Sequence, residues 1–258
     1  MESILGKRLT EHNVTFNDIL LKIGNINNED MIFAYTSQME GLGTKDSDID
    51  IYVLTENSSN IAFVRKDENR KVQMAMIQNL IFDIEYWEIS HVNDIITRVN
   101  CDVTDSFNVN ELKLLHRLKE SELLSECGSS ISSAIEMSNL KKKVKEFYIV
   151  MANSELQDAI QLFNSDENIC ANIRATLALE NAIGALNAHN GTTNLKEKWI
   201  PKIFYNNRAK NPKVYEKYLD FQVYSRTDYN SLPDFIENKL EFIQDIISMV
   251  SIDGGEND

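Results

Sequence analysis

The chain has 258 residues, 43% of them hydrophobic and 26% charged, with a formal charge of −14. That length buries one large core or two moderate ones, and the acidic balance argues against a protein that grips long nucleic acid, where phosphate contacts supply much of the affinity. No apolar run is long enough to span a bilayer.

The opening residues, Met1-Glu2-Ser3-Ile4-Leu5-Gly6-Lys7-Arg8, lack the basic start and apolar stretch of a signal peptide. Cys101, Cys127 and Cys170 are widely spaced and odd in number, which fits reduced thiols and a cytoplasmic location. Two short amphipathic helices are expected first: Ile4, Leu5 and Leu9 share one face, and Phe16, Ile19, Leu20 and Ile23 another, with a break near residues 12–15. An Asn-rich loop follows over residues 24–30. The apolar run Met31 to Tyr35 reads as a buried strand, and a polar loop with Thr36, Ser37, Gly41, Gly43 and Ser47 leads to a second strand, Asp48 to Leu54. On that strand Asp48 and Asp50 share one face while Ile49, Ile51 and Val53 share the other. Two neighbouring carboxylates repel each other and lose hydration if buried. A hard divalent cation relieves both penalties, and such pairs bind Mg²⁺ together with a substrate's phosphates. Glycines before them let backbone N–H groups approach phosphate oxygens.

Further strands are expected over residues 61–64 and 72–77, joined by a polar hairpin turn, and over residues 80–89, the strongest strand pattern in the chain. There Asp83, Glu85 and Trp87 share a face. From His91 onward the pattern turns helical: a short helix over 93–99, then Asn110 to Lys119 with Leu112, Leu115 and Leu118 on one face and Asn108 or Asn110 as cap. Helices are then expected over about 129–163, 168–190, 212–224 and 232–251, with Gly191, Pro212 and Pro233 marking ends and starts. The division is therefore residues 1–107, 108–252 and a disordered tail, 253–258. The lysine run at 141–145 reads as a solvated helix face, or as a contact for triphosphate or RNA.

Thr36-Ser37, a loop with Gly41 and Gly43, and Ser47-Asp48-Ile49-Asp50-Ile51 on a strand resemble the active-site motif of the DNA polymerase β-like nucleotidyltransferases, in which Gly-Ser usually stands where this chain has Thr36-Ser37. The resemblance implies an α+β fold, with an N-terminal mixed β-sheet flanked by helices and a C-terminal helical bundle. It also implies Mg²⁺-dependent transfer of a nucleoside monophosphate, AMP from ATP, to a hydroxyl. Asp48, Asp50 and Asp83 would be catalytic and would hold two Mg²⁺ ions. Asp83 is preferred to Glu85 as the third acid because Phe82-Asp83-Ile84 resembles the family's apolar-Asp-apolar pattern. Thr36, Ser37, Gly43 and Ser47 would line the nucleotide. The Ala-rich segment 174–184 and the Lys198-Trp199 pair resemble the bundles appended to small-molecule nucleotidyltransferases, which would put Lys198 on phosphate and give Glu180 a role as general base. An exposed helix carboxylate is the plainer reading of Glu180, and a core residue that of Trp199.

The acceptor is expected to be a small molecule such as an aminoglycoside-like antibiotic, which would make antibiotic resistance the outcome. A protein or tRNA acceptor of toxin–antitoxin type, a second-messenger synthase and a non-catalytic nucleotide-binding module are the alternatives. His12, His91, His116 and His189 show no metal-binding spacing, and no P-loop, dinucleotide fingerprint or hydrolase elbow is present.

Overall fold

The computed structural model of the chain describes residues 3–24, 27–56, 65–66, 69–101, 108–224, 229 and 231–252. The strand expected at 61–64 and the tail 253–258 lie outside these residues. The chain forms two compact units, Met1–Asn139 and Leu140–Asp258, divided later than the expected 107/108.

The first unit begins with α1 (Ile4–Glu11) and α2 (Phe16–Ile23). Ser3 caps α1 by accepting the Gly6 N–H at 2.9 Å, and Thr15 and Asp18 exchange hydrogen bonds across the first turn of α2. Between them Asn13 sits at φ 53°, and Gly24 at φ 87° ends α2. Among the described residues six strands follow with three helices: β1 (Met31–Tyr35), β2 (Ile49–Thr55), β3 (Arg65–Lys66), β4 (Arg70–Ile77), β5 (Leu80–Glu88), α3 (Ile89–Asn100), α4 (Val109–Lys119), β6 (Glu122–Leu123) and α5 (Ser129–Glu136). Gln78 and Asn79, both at positive φ, make the tight turn between β4 and β5. Asn108 caps α4, accepting from the Asn110 N–H at 3.0 Å.

The strands form one mixed sheet in the order β3-β4-β5-β2-β1-β6. β2 and β5 run parallel at its centre, and the other pairings are antiparallel. One face carries Ile32, Ala34, Ile49, Ile51, Val53, Phe82 and Ile84, which pack with Leu5, Ile19 and Ile23 of α1 and α2 into a core. The opposite face carries Tyr35, Asp50, Tyr52, Asp83 and Glu85, and α3 and α4 lie against part of it. The sequence did not suggest β6, a two-residue strand that pairs with Phe33 and Ala34 of β1.

The second unit is helical: α6 (Leu140–Asn164), α7 (Asn168–His189), a 3₁₀ turn (Glu197–Trp199), α8 (Ile200–Asn206), α9 (Pro212–Leu219), a π-helical turn (Asp220–Tyr224) and α10 (Leu232–Ile252). The helix expected over 129–163 is thus two: Met137 ends α5, and α6 starts at Leu140. Ala171, Ala175, Ala178 and Ala182 recur every three or four residues along α7 and are fully buried, giving the helix a small-residue seam that admits its neighbours closely. On the other side of α7 the Tyr148 ring of α6 lies over Gly184. The lysine run is only partly solvated, since Lys143 is buried and pairs with Glu146 at 3.2 Å. Among the described residues no helix is long and apolar enough to cross a membrane.

Candidate functional site

The loop between β1 and β2 is a chain of turns. Ser37 C=O accepts from the N–H groups of Leu42 and Gly43, both at 2.9 Å, and Thr44 N–H donates to Ser47 Oγ at 2.9 Å. Ser37 and Ser47 hydroxyls lie 3.4 Å apart. Gly43 is packed into this turn. A Cβ there would fall 2.6 Å from Ser37 Oγ, 2.7 Å from the Gln38 backbone nitrogen and 2.8 Å from Ser47 Oγ, so no larger residue fits without moving backbone. Arg8 of α1 anchors the loop from the opposite side of the sheet. Its guanidinium donates to Thr36 Oγ1 at 3.0 Å and to the Ser47 carbonyl. Burial lowers the Arg8 pKa, offset by the charges of Asp48, Asp46 and Glu11. Thr36 therefore turns its side chain toward α1, away from the face that Tyr35 and Asp50 share.

Asp48 immediately precedes β2, and the parallel pairing sets Asp50 beside Asp83 of β5. The result is a triad: Asp48, Asp50 and Asp83 each offer a carboxylate oxygen within 4.8 Å of the others. Asp50 is only 4% exposed, and its two companions are half-buried. Sequence alternation brings Asp48 and Asp50 to one face; only the β2–β5 pairing adds Asp83.

Beside the triad, Arg117 of α4 holds the floor. It lies 3.4 Å from Asp50 Oδ1 and 3.9 Å from Glu85 Oε1, and donates to the Tyr52 hydroxyl. Burial alone would lower the Arg117 pKa, but Tyr52, Asp50 and Glu85 outweigh it and raise the value, so the guanidinium stays charged. Burial keeps Tyr52 neutral. Glu85 is engaged separately: it accepts from Trp87 Nε1 at 2.9 Å and pairs with Arg70 at 3.6 Å. A third cluster borders the site, where Glu40 accepts from the Tyr35 hydroxyl at 2.5 Å and meets His116 Nε2 at 3.2 Å. On the side of Asp83 away from β2, Met74, Met76 and Ile81 lie on the same face and are exposed.

Three carboxylates this close, with the half-buried Arg117 as the cation beside them, carry a surplus of negative charge. An all-oxygen donor set of that kind is compatible with a divalent metal ion. Sequence reasoning missed Arg8 and Arg117. A signal existed for Arg8, a basic residue one helical turn after Leu5 on the apolar face of α1; Arg117, one turn after the buried Leu114, gave a weaker one. Glu180 and Lys198 lie in the second unit. Glu180 accepts from the Tyr218 hydroxyl at 2.9 Å and Gln222 Nε2 at 2.8 Å, and burial raises its pKa. Lys198 is exposed, with Nζ 4.7 Å from the centre of the Trp199 ring.

No family model matches the chain, and no curated protein is similar to it in sequence. Among solved structures, it is similar to a nucleotidyltransferase-like protein from Exiguobacterium sibiricum 255-15, with a TM-score of 0.55 and 13% identity over 88% of this chain and 71% of that one. At that identity the likeness extends to the fold, and the fold of this chain is nucleotidyltransferase-like: a mixed sheet with flanking helices, followed by a helical region.

Proposed function

We propose that the protein is a Mg²⁺-dependent nucleotidyltransferase that moves AMP from ATP to a hydroxyl of a small-molecule acceptor. The observation that carries this reading is the Asp48-Asp50-Asp83 triad, seated beside a serine- and glycine-containing loop. The three carboxylates would hold the metal, which when bound neutralises triphosphate charge and acidifies the attacking hydroxyl. Ser37 and Ser47, with loop amides that do not donate within the turns, would hold the β- and γ-phosphates, their groups placed before substrate arrives. Gly43 lets the turn close tightly enough to bring Ser37 and Ser47 together. The acceptor oxygen bonds to the α-phosphorus as the bond from that phosphorus to the bridging oxygen breaks, releasing pyrophosphate and a proton. Arg117, 3.4 Å from Asp50 Oδ1, would hold that carboxylate in place without touching substrate. Met74, Met76 and Ile81 would give the acceptor an apolar wall next to Asp83.

Acidic charge disfavours tRNA as acceptor and leaves a small molecule, such as an aminoglycoside-like antibiotic, as the first choice. A nucleotide-binding module without catalysis is the second reading, motivated by Thr36 standing where the related motif has glycine. Incubating the full chain with Mg²⁺, each labelled nucleoside triphosphate and a panel of hydroxyl-bearing acceptors separates the two. We expect pyrophosphate release and label on an acceptor with ATP, lost on chelation and in Asp48→Asn, Asp50→Asn and Asp83→Asn. Nucleotide binding without pyrophosphate release would favour the module, and full turnover in the asparagine variants would remove the triad from any catalytic role.

A further inference from the structure

The second unit carries an open cavity of about 560 Å³, lined by residues that the nucleotidyl-transfer reading does not use. Lys239 of α10 forms its floor. The residue is 1% exposed, and its ammonium donates to Thr176 Oγ1 at 2.7 Å and to Asn172 Oδ1 at 3.4 Å, both on α7. Both acceptors are neutral. An ammonium has three N–H donors, so one is left without a protein acceptor among the described residues. No carboxylate among them lies within ion-pair distance of Nζ, and the nearest acid electrostatically, Glu180, already accepts from Tyr218 and Gln222. A buried cation in that state is costly unless something compensates it. Its pKa reflects this: burial pulls it down to about 8, with Glu180 offsetting part of the loss.

The walls are aromatic. Phe221 of the π-helical turn stacks near-parallel to Tyr229, ring centres 6.1 Å apart, and Phe235 of α10 meets Tyr229 edge-on at 5.0 Å. Lys239 Nζ sits 5.6 Å from the centre of the Phe235 ring. Ring faces and edges of this kind take a planar apolar body, and the ammonium at their foot takes a single negative charge. A cationic ligand would meet Lys239, and none of the described lining residues is acidic. Among the described lining residues a phosphate dianion would find a single positive group, Lys239.

We propose that this cavity binds a small aromatic carboxylate, its ring against Phe221, Tyr229 and Phe235 and its carboxylate accepting from Lys239 Nζ. Such a site stands independently of nucleotidyl transfer. The titratable groups facing Lys239 among the described residues are Glu180 of α7 and Tyr229 in the cavity wall; no charge on α6 or on the π-helical turn contributes at Nζ.

The test is ligand-observed NMR titration of the full chain with benzoate, salicylate and indole-3-acetate, with benzamide and acetate as neutral and ring-less controls. At least one aromatic acid should bind at millimolar concentration or below, and both controls about tenfold or more weaker, the usual worth of a charge-assisted hydrogen bond or a buried ring. Lys239→Met, checked for native circular dichroism, should weaken the acid about tenfold or more and leave benzamide unchanged. Wild-type affinity should fall as pH rises past about 8, and the variant's should not. Phe235→Leu, which removes one wall and keeps the lysine, should weaken the acid as well and serves if the methionine variant does not fold. Absence of binding by every acid at millimolar concentration, equal affinity for acid and amide, or affinity untouched by both substitutions would overturn the proposal.

Discussion

At the scale of single residues, the site depends on one position with no spare volume and one half-buried cation. Gly43→Ala places a methyl group against the Gln38 backbone nitrogen, 2.7 Å away, and between two hydroxyls. The turn must open, and pyrophosphate release should fall about a hundredfold, the penalty for displacing a positioning group by about an ångström, while the melting temperature changes little. Arg117→Met leaves Asp50 and Glu85 without their shared guanidinium and Tyr52 without its donor. Urea unfolding should show a loss of about 3–5 kcal/mol, as for a buried pair deprived of one partner. Lys239 makes stability depend on alkaline pH. Its folded pKa of about 8 lies below the ordinary lysine value, so between the two the unfolded chain binds a proton that the native chain lacks, and stability rises with pH across that window. The gain, up to about 3 kcal/mol, should appear in urea unfolding compared below pH 8 and near pH 10, and should be absent from Lys239→Met. Asp48 and Asp50 were legible in the sequence because strand alternation is local. Arg117 was not, because a helix sixty-seven positions further along supplies it, and no spacing rule links the two.

At the scale of elements, periodicity located most of the pieces. β1, β2, β5 and α7 fall close to their expected bounds because each is a sustained apolar pattern. The failures are short or interrupted. β6 has two residues and no pattern; the α5–α6 break is made by Met137, Ser138 and Asn139, none of which is a helix-breaking glycine or proline. Pairing was the other illegible quantity: Phe82-Asp83-Ile84 suggested the third carboxylate by resemblance, and the parallel β2–β5 register puts it beside Asp50. The helical unit carries its own constraint at the α6–α7 seam. Gly184→Ala gains helix propensity of about 1 kcal/mol, yet its Cβ would lie 2.6 Å from two carbons of the Tyr148 ring, itself buried. Overpacking of about 1–3 kcal/mol should win, and thermal melts should show the variant less stable than the parent.

For the molecule as a whole, two compact units share a chain whose charge is −14. The first is completed by α4, β6 and α5, all beyond the boundary expected from composition and pattern. A fragment ending at Asn139 should therefore be monomeric and unfold cooperatively, whereas one ending at residue 107 should associate on size exclusion, having lost the helix whose Leu112, Leu115 and Leu118 are buried there. The pairing of β6 with β1 has a consequence during synthesis. While the ribosome is still adding residues before Glu122, the outer edge of β1 offers unpaired N–H and C=O groups next to Phe33 and Ala34. Crowded polysomes would hold many such nascent edges close together, so slow translation through the 108–121 stretch favours strand exchange between neighbours, and the two residues of β6 end that exposure as they emerge.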